Sequence, residues 1–285
     1  MLQIAPSGYR CHAARKRKPE LLCARVKRDE ALMPQIQAVW QANMQVYGAD
    51  KVWHQMNRES TKVARCTVER LMKRLGLHGV RRGKVIRTTV PDKATPCPLD
   101  RVNRQFKADR PNQLWVSDFT YVSTWQGWQY VAFVIDVFAR RIVGWRVSSS
   151  MRTDFVLDAL EQALFDRQPE RSDALIHHSD RGSQYVSILY TERLAQAGIE
   201  PSVGSRGDSY DNALAETING LYKAELIHRR APWKTKEALE LATLEWVAWF
   251  NHHRLLSSIG YIPPAEAEVN YYRQLAESNE TEVST

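Results

Sequence analysis

Three carboxylates have types and positions that could do chemistry together. Asp118 lies inside the run Leu114-Trp115-Val116-Ser117-Asp118-Phe119-Thr120-Tyr121-Val122, where an acid is unfavourable both for strand propensity and for burial. Asp180 follows the apolar run Ala174-Leu175-Ile176 and precedes the turn Arg181-Gly182-Ser183. Glu216 follows with 35 residues between it and Asp180, in a helix-like segment opened by Asp211-Asn212. Each acid alone is as readily structural as functional. Together they supply the hard oxygen ligands that Mg²⁺ takes from a few carboxylates, with water or phosphate filling the other positions. Two such ions, roughly 3.5–4 Å apart, assist an in-line phosphoryl displacement at both the attacking and the leaving oxygen. Lys223 follows Glu216 by two helical turns and shares its face, where a cation can hold a phosphate; a surface lysine is the plain alternative. Asn212, four residues before Glu216, shares that face as a candidate for positioning substrate. Asp136, in the next strand pattern, is either near this site or structural.

The elements that must carry these groups can be read in outline. From Gln113 the chain gives three strand patterns in succession: Leu114 to Val122, Trp128 to Val137 (apolar almost throughout, hence buried on both faces) and Ile142 to Val147. A helix capped by Asp154 follows, with Phe155, Leu157, Leu160 and Leu164 on its apolar face. Then come a strand ending at Asp180, a helix from Gln184 to Gln196, a strand from Ile199 to Val203 and the Glu216 helix. Antiparallel strands followed by alternating helices and strands imply a mixed five-stranded α/β sheet with helices on its faces. A last helix is expected from about Thr235 to Asn251.

Charge divides the chain. Residues 1–107 hold 23 Lys+Arg against 8 Asp+Glu, a net of +15, whereas residues 108–285 hold 17 against 24, a net of −7. A basic third of this strength favours a polyanion, most often nucleic acid, over an idle solvated surface. Within it, residues 1–29 show little periodicity and are expected to form a basic arm. Residues 30–78 give three short helices: Glu30 to Met44; one capped by Asp50 that turns Val52, Trp53 and Met56 inward; and Val63 to Leu75, ended by Gly76. The order suggests an all-α helix-turn-helix-like module with its last helix on DNA, through Arg65, Arg70, Lys73 and Arg74; a small bundle with solvated cations is the alternative. Residues 79–112, rich in proline and basic residues, read as a linker able to track phosphates. The expected catalytic domain spans 113–270, followed by a polar tail, 271–285, expected to be unstructured from Glu277. No apolar run approaches the roughly 20 residues of a membrane span, and the N-terminus lacks the order of a signal peptide. The four scattered cysteines form no zinc or disulfide pattern, which suits a reducing cytoplasm.

The motifs Trp115-Val116-Ser117-Asp118-Phe119-Thr120-Tyr121, His178-Ser179-Asp180-Arg181-Gly182-Ser183-Gln184-Tyr185 and Asp211-Asn212-Ala213 through Glu216 to Lys223 resemble the catalytic core of bacterial insertion-sequence transposases. The likeness is strongest to those encoded in two overlapping reading frames, within the retroviral-integrase superfamily. The stretch Phe250-Asn251-His252-His253-Arg254 through Ser258-Ile259-Gly260-Tyr261-Ile262-Pro263-Pro264 resembles the same family's C-terminal signature. The resemblance covers about residues 45–270. It implies an RNase H-like fold, Asp118, Asp180 and Glu216 as catalytic metal ligands for Mg²⁺ or Mn²⁺, and Lys223 as a DNA contact. It further implies cleavage at the element's ends to expose 3′-hydroxyls, followed by their transfer to target DNA without a covalent enzyme–DNA intermediate.

Two DNA ends must be held at once, so a homo-oligomer on DNA is expected. The family's working form is usually a frameshift fusion with an upstream helix-turn-helix and coiled-coil segment. This chain shows no N-terminal heptad run and reads as the downstream product, so that an upstream-frame product or fusion is an expected partner. It also lacks the His/His/Cys/Cys zinc module of retroviral integrases. A bacterial cytoplasmic location near the nucleoid follows from the resemblance. The competing readings are a hydrolytic nuclease of the same fold and a non-catalytic DNA-binding regulator of the fusion.

Overall fold

The computed structural model describes residues 6–18, 20, 22–81, 83, 107–170, 174–179, 184–185, 187–203 and 213–283. The chain divides into two compact units, Met1–Val80 and Arg81–Thr285.

The first unit is helical: α1 (Pro6–Arg17), α2 (Ala24–Ala42), α3 (Ala49–Arg58) and α4 (Arg65–Arg74). Helices α2, α3 and α4 pack on one another around Ile36, Val52, Met56, Val68 and Leu71, all essentially removed from solvent. The helical spacing of these residues supplies the apolar faces. Gly76, at φ +68°, takes the left-handed turn beyond α4. Gly48, not Asp50, is the N-cap of α3; Asp50 lies in its first turn, where the helix dipole still favours an acid. The arm expected over 1–29 is not unstructured, since it contains α1 and the start of α2. The reason is tertiary. Asp29 is buried and accepts both prongs of the Arg70 guanidinium, at 2.7 and 2.9 Å, so the first turns of α2 are tied to α4.

The second unit is built on a five-stranded sheet of order β3-β2-β1-β4-β5. Its strands are β1 (Leu114–Thr124), β2 (Gly127–Asp136), β3 (Arg141–Ser148), β4 (Ile176–Ser179) and β5 (Glu200–Val203). The first three are antiparallel neighbours, and β4 joins β1 in parallel, as does β5 to β4. This is the expected mixed sheet.

Helices α5 (Thr153–Arg167) and α6 (Ile188–Gln196) cover one face over a core that includes Trp115, Ala132, Val134, Phe155, Leu160 and Tyr190. The approach of α5 is close. A Cβ on Gly144 of β3 would lie 2.1 Å from the Ala159 carbonyl oxygen, and Ala159 and Ala163 are small for the same reason. Asp154 is in the first turn of α5 rather than at its cap, which is Arg152. The α6 helix begins later than expected, at Ile188, where the Ser187 hydroxyl accepts from the Tyr190 amide.

The other face is covered by α7 (Ala213–Tyr222) and α9 (Lys236–His252). After Tyr222 the helix widens into a π-helical turn, Lys223–Ile227, and ends in the short α8, His228–Arg230. Phe133, Tyr222, Trp246 and Phe250 stack in sequence across this face, with centroids 5.0–6.0 Å apart. Asn251 at the end of α9 brackets Ile142: its side chain accepts from the Ile142 amide at 3.0 Å and donates to the Ile142 carbonyl at 2.8 Å. It therefore serves as a surrogate strand partner where the β2–β3 register slips.

The expected last helix is followed by another, α10 (Pro264–Val283), so the tail expected at 271–285 lies largely within a helix. Proline at the first helical position suits its start. The helix is held by Glu268, which is buried against Arg141 and Arg167, and by the edge of Tyr271 on Phe138. Among the described residues no helix is long and apolar enough to cross a membrane.

Candidate active site

Strand alternation decides which way each acid points. Asp118 pairs with Phe133, whose ring lies against Tyr222 and Trp246, so Asp118 faces α7 and α9. Asp136 pairs with Trp115 of the α5 core and faces the other way. It is fully buried, accepting from the amides of Asn112 at 2.8 Å and Phe138 at 3.0 Å and from the Arg167 guanidinium at 3.3 Å. Burial pushes its carboxyl above the ordinary range, against the pull of those amides and of Arg167. Of the two readings the sequence allowed for Asp136, its position fits the structural one.

Asp118 is half-buried and prepared differently. One oxygen accepts from the Phe119 amide at 2.8 Å and the other from the Asn219 side chain at 2.9 Å. Asn219 lies three residues after Glu216 and four before Lys223, so one stripe of the helix carries all three. Its bond to Asp118 ties that stripe to β1. Glu216 is exposed in the first turn of α7, where the helix N-terminus favours an anion. The ammonium of Lys223 lies 4.8 Å from the centre of the Tyr121 ring. Partial burial lowers its pKa, and attraction to Asp118 works in the opposite direction. Sequence reasoning missed Asn219, although its place midway along the Glu216–Lys223 stripe was a usable signal.

The π-helical turn that begins at Lys223 directs Glu225 inward. There Glu225 meets Arg254 at 2.5–3.1 Å and the Trp246 indole at 3.4 Å, all buried. Such turns are frequent at functional sites, where they offset one segment of a helix from the next. Asn251 and Arg254, both in the C-terminal signature, thus hold α9 to the sheet and to the Lys223 turn.

On β4, His177 binds the Ser117 hydroxyl at 2.7 Å and the Tyr190 hydroxyl at 3.1 Å, while His178 meets the Ser202 hydroxyl at 3.0 Å. Burial drives the His177 pKa down to about 3, so its ring is neutral and ties β4 to β1 and α6. The last β1–β4 register pair is Ser117 with Ser179, immediately before Asp118 on one strand. Asp180 and Asn212 lie outside the described residues. Among the described residues no three His, Cys, Asp or Glu side chains cluster as a metal site.

In the helical unit, Arg65, Lys73 and Arg74 are exposed on α4. Arg70 is not equivalent to them. Its fork is engaged by Asp29, which raises the arginine pKa and lowers that of the acid through their hydrogen bonds.

Family models match along most of the chain: an HTH-like domain over residues 27–85 and an integrase core domain over residues 108–209 and again over 197–264. The chain is 60% identical over 274 residues to the transposase for insertion sequence element IS629 of Shigella sonnei, covering 96% of this chain and 91% of that one. It is 58% identical over 276 residues to the putative transposase for insertion sequence element IS986/IS6110 of Mycobacterium tuberculosis (strain CDC 1551 / Oshkosh), covering 96% and 98%. Among solved structures, the HTLV-2 integrase catalytic core domain in complex with magnesium matches at a TM-score of 0.45 and 16% identity, covering 56% of this chain and 98% of that one.

Proposed function

This chain belongs to the transposases of insertion sequence elements, and from that premise we propose that it cuts the ends of its element and joins the freed 3′-hydroxyls to target DNA. In this reading Asp118, Asp180 and Glu216 hold Mg²⁺ or Mn²⁺, two ions when substrate is bound, and Lys223 holds a DNA phosphate beside them. The observation that carries the reading is the Asn219 bond to Asp118, because it sets the Glu216–Asn219–Lys223 stripe against the strand acid. The donor chemistry fits a hard divalent cation. Asp118 and Glu216 offer carboxylate oxygens, neither is sealed from solvent, and the amine of Lys223 stands nearby for a phosphate and not as a ligand.

Bound divalent cations would supply charge neutralisation at the attacking and leaving oxygens of the displacement. The chain's own residues do the rest. Asn219 and the Phe119 amide fix the orientation of the Asp118 carboxylate. Lys223 positions a phosphate electrostatically and, being partly buried, does so with less screening than a surface lysine. Arg65, Lys73 and Arg74 of α4 supply DNA affinity in the helical unit, and Asn212 helps to position substrate. The active assembly is a homo-oligomer holding two ends, together with the upstream-frame product.

Strand transfer tests this directly. Pre-cut element ends and a supercoiled target are incubated with the full chain in Mg²⁺ or Mn²⁺, with and without the upstream-frame product. Joined products that vanish with Asp118→Asn and Glu216→Gln are expected. Cleavage without any joined product in either condition points to a nuclease. Unchanged excision by Asp118→Asn in cells supplied with the upstream frame points to a regulator.

A further inference from the structure

The β1–β2 hairpin ends in three large aromatic side chains that stand in solvent: Tyr121 is 57% exposed, Trp125 69% and Trp128 56%. Register places Tyr121, Trp128, Tyr130 and Phe119 on the same side of the hairpin. The inner pair, Phe119 and Tyr130, packs on Phe155 of α5. The outer pair, Tyr121 and Trp128, meets edge to face at 5.3 Å and projects outward. Lysines accompany the exposed rings: Lys223 lies over Tyr121 at 4.8 Å, and Lys234 over Trp125 at 5.3 Å.

The arrangement is braced. The Trp125 amide donates to the Trp233 carbonyl at 3.0 Å, the Lys236 amide donates to the Gln126 side chain at 2.9 Å, and the buried Trp233 indole donates to the Ile227 carbonyl at 3.1 Å. The loop after α8 and the hairpin tip are thereby fastened to each other.

We propose that Tyr121, Trp125 and Trp128, with Lys223 and Lys234, form a stacking platform for unpaired bases of the DNA strand that enters the Asp118 site. Three considerations select this occupant. Aromatic faces bind the π-faces of bases, which are available in a single strand and hidden inside a duplex. Paired lysines favour a polyanion, whereas the centre of a protein–protein interface is depleted of charge and of lysine in particular. Tyr121 lies three residues along β1 from Asp118, roughly 10 Å, and on the opposite side of the strand, but Lys223 lies over its ring and is also attracted to Asp118, so the lysine links the platform to the site. The inference rests on the active-site reading for its location but not for its binding chemistry.

The test is fluorescence anisotropy of the full chain in EDTA, with a short labelled oligothymidylate and a blunt duplex of equal length. Trp125→Ala/Trp128→Ala is expected to weaken single-strand binding by roughly 10- to 100-fold while changing duplex binding by less than about threefold. Trp128→Phe is expected to retain most of the affinity, and Phe165→Ala, a change at a ring 82% exposed on α5, to leave both ligands unaffected. Should the double variant lose its native circular dichroism, Trp125→His and Trp128→Phe/Trp125→Phe replace it, with a graded loss expected. Equal losses for single strand and duplex overturn the proposal. So does unchanged single-strand binding, including the case where the variant only shifts the oligomeric state in sedimentation and thereby reveals a second copy as the occupant. Because no metal is present, failure of the catalytic reading shows separately, as strand transfer that survives Asp118→Asn.

Discussion

Asp118 and Asp136 occupy neighbouring antiparallel strands of one sheet, and the sheet sets them in opposite surroundings. Asp136 is sealed on the α5 face by two amides and Arg167, and Arg167 in turn meets Glu268 of α10. Both of its oxygens accept from the protein's own donors, so it fastens the end of β2, α5 and α10 together. Asp118 faces α7 half-buried, with Asn219 and the neighbouring amide steadying it and Lys223 nearby. The contrast shows that an acid in a strand is informative only once its face and its partners are known. It also predicts a clean separation of effects, activity lost on one face and stability on the other.

The largest effect is expected from Asp118→Asn. Strand transfer should fall by roughly 10³-fold or more, while stability to urea changes by no more than about 1 kcal/mol. A large loss of stability with activity retained would erase the distinction between the faces. Asp136→Ala is the reciprocal experiment. It leaves two buried amides without their acceptor and Arg167 with Glu268 alone, at a cost of about 2–5 kcal/mol in urea denaturation, with activity per folded molecule preserved.

The sealed face should also respond to acid. His177 has a folded pKa of about 3 against an ordinary value of 6.5, so its neutral ring is stabilising above 6.5. As pH falls below that value the unfolded chain takes up a proton that the folded chain refuses, and stability should decline by up to about 1.4 kcal/mol per pH unit. His177→Gln should flatten that slope in pH-dependent urea titrations.

Lys223→Ala should weaken DNA binding by roughly tenfold, a loss of about 1.4 kcal/mol. In the parent chain the contact should fade at a lower pH than for an ordinary lysine, because burial depresses the pKa and the charge is lost as pH rises through it. A smaller difference separates the cations of α4. Lys73→Ala should reduce the salt dependence of duplex binding by about one phosphate contact with the melting temperature unchanged. Arg70→Ala should lower the melting temperature of the helical unit, since it abandons Asp29.

Much of this was written locally. The strand patterns around Asp118 and the apolar stripe Phe155–Leu160–Leu164 follow from residue spacing, and the observed β1, β2, β3 and α5 agree with them. So does the separation of a basic helical region from a mixed sheet, because charge and periodicity are properties of short windows. The Glu216–Lys223 stripe was equally plain, since helical phase is fixed by sequence distance. The start of α2 and the long α10 were not legible. Their segments have weak apolar patterns, and what holds them is Asp29 on Arg70 and Glu268 on Arg141 and Arg167, contacts spanning 41, 127 and 101 residues. Helical phase put Asn219 on the same stripe, but its partner, a carboxylate 101 residues away, appears only in the fold. The sequence by itself determined which residues could do chemistry and which elements carry them. Tertiary structure alone decided that Asp118 meets the α7 stripe while Asp136 turns away, because strand register and the packing of α5, α7 and α10 are settled by contacts distant in the chain.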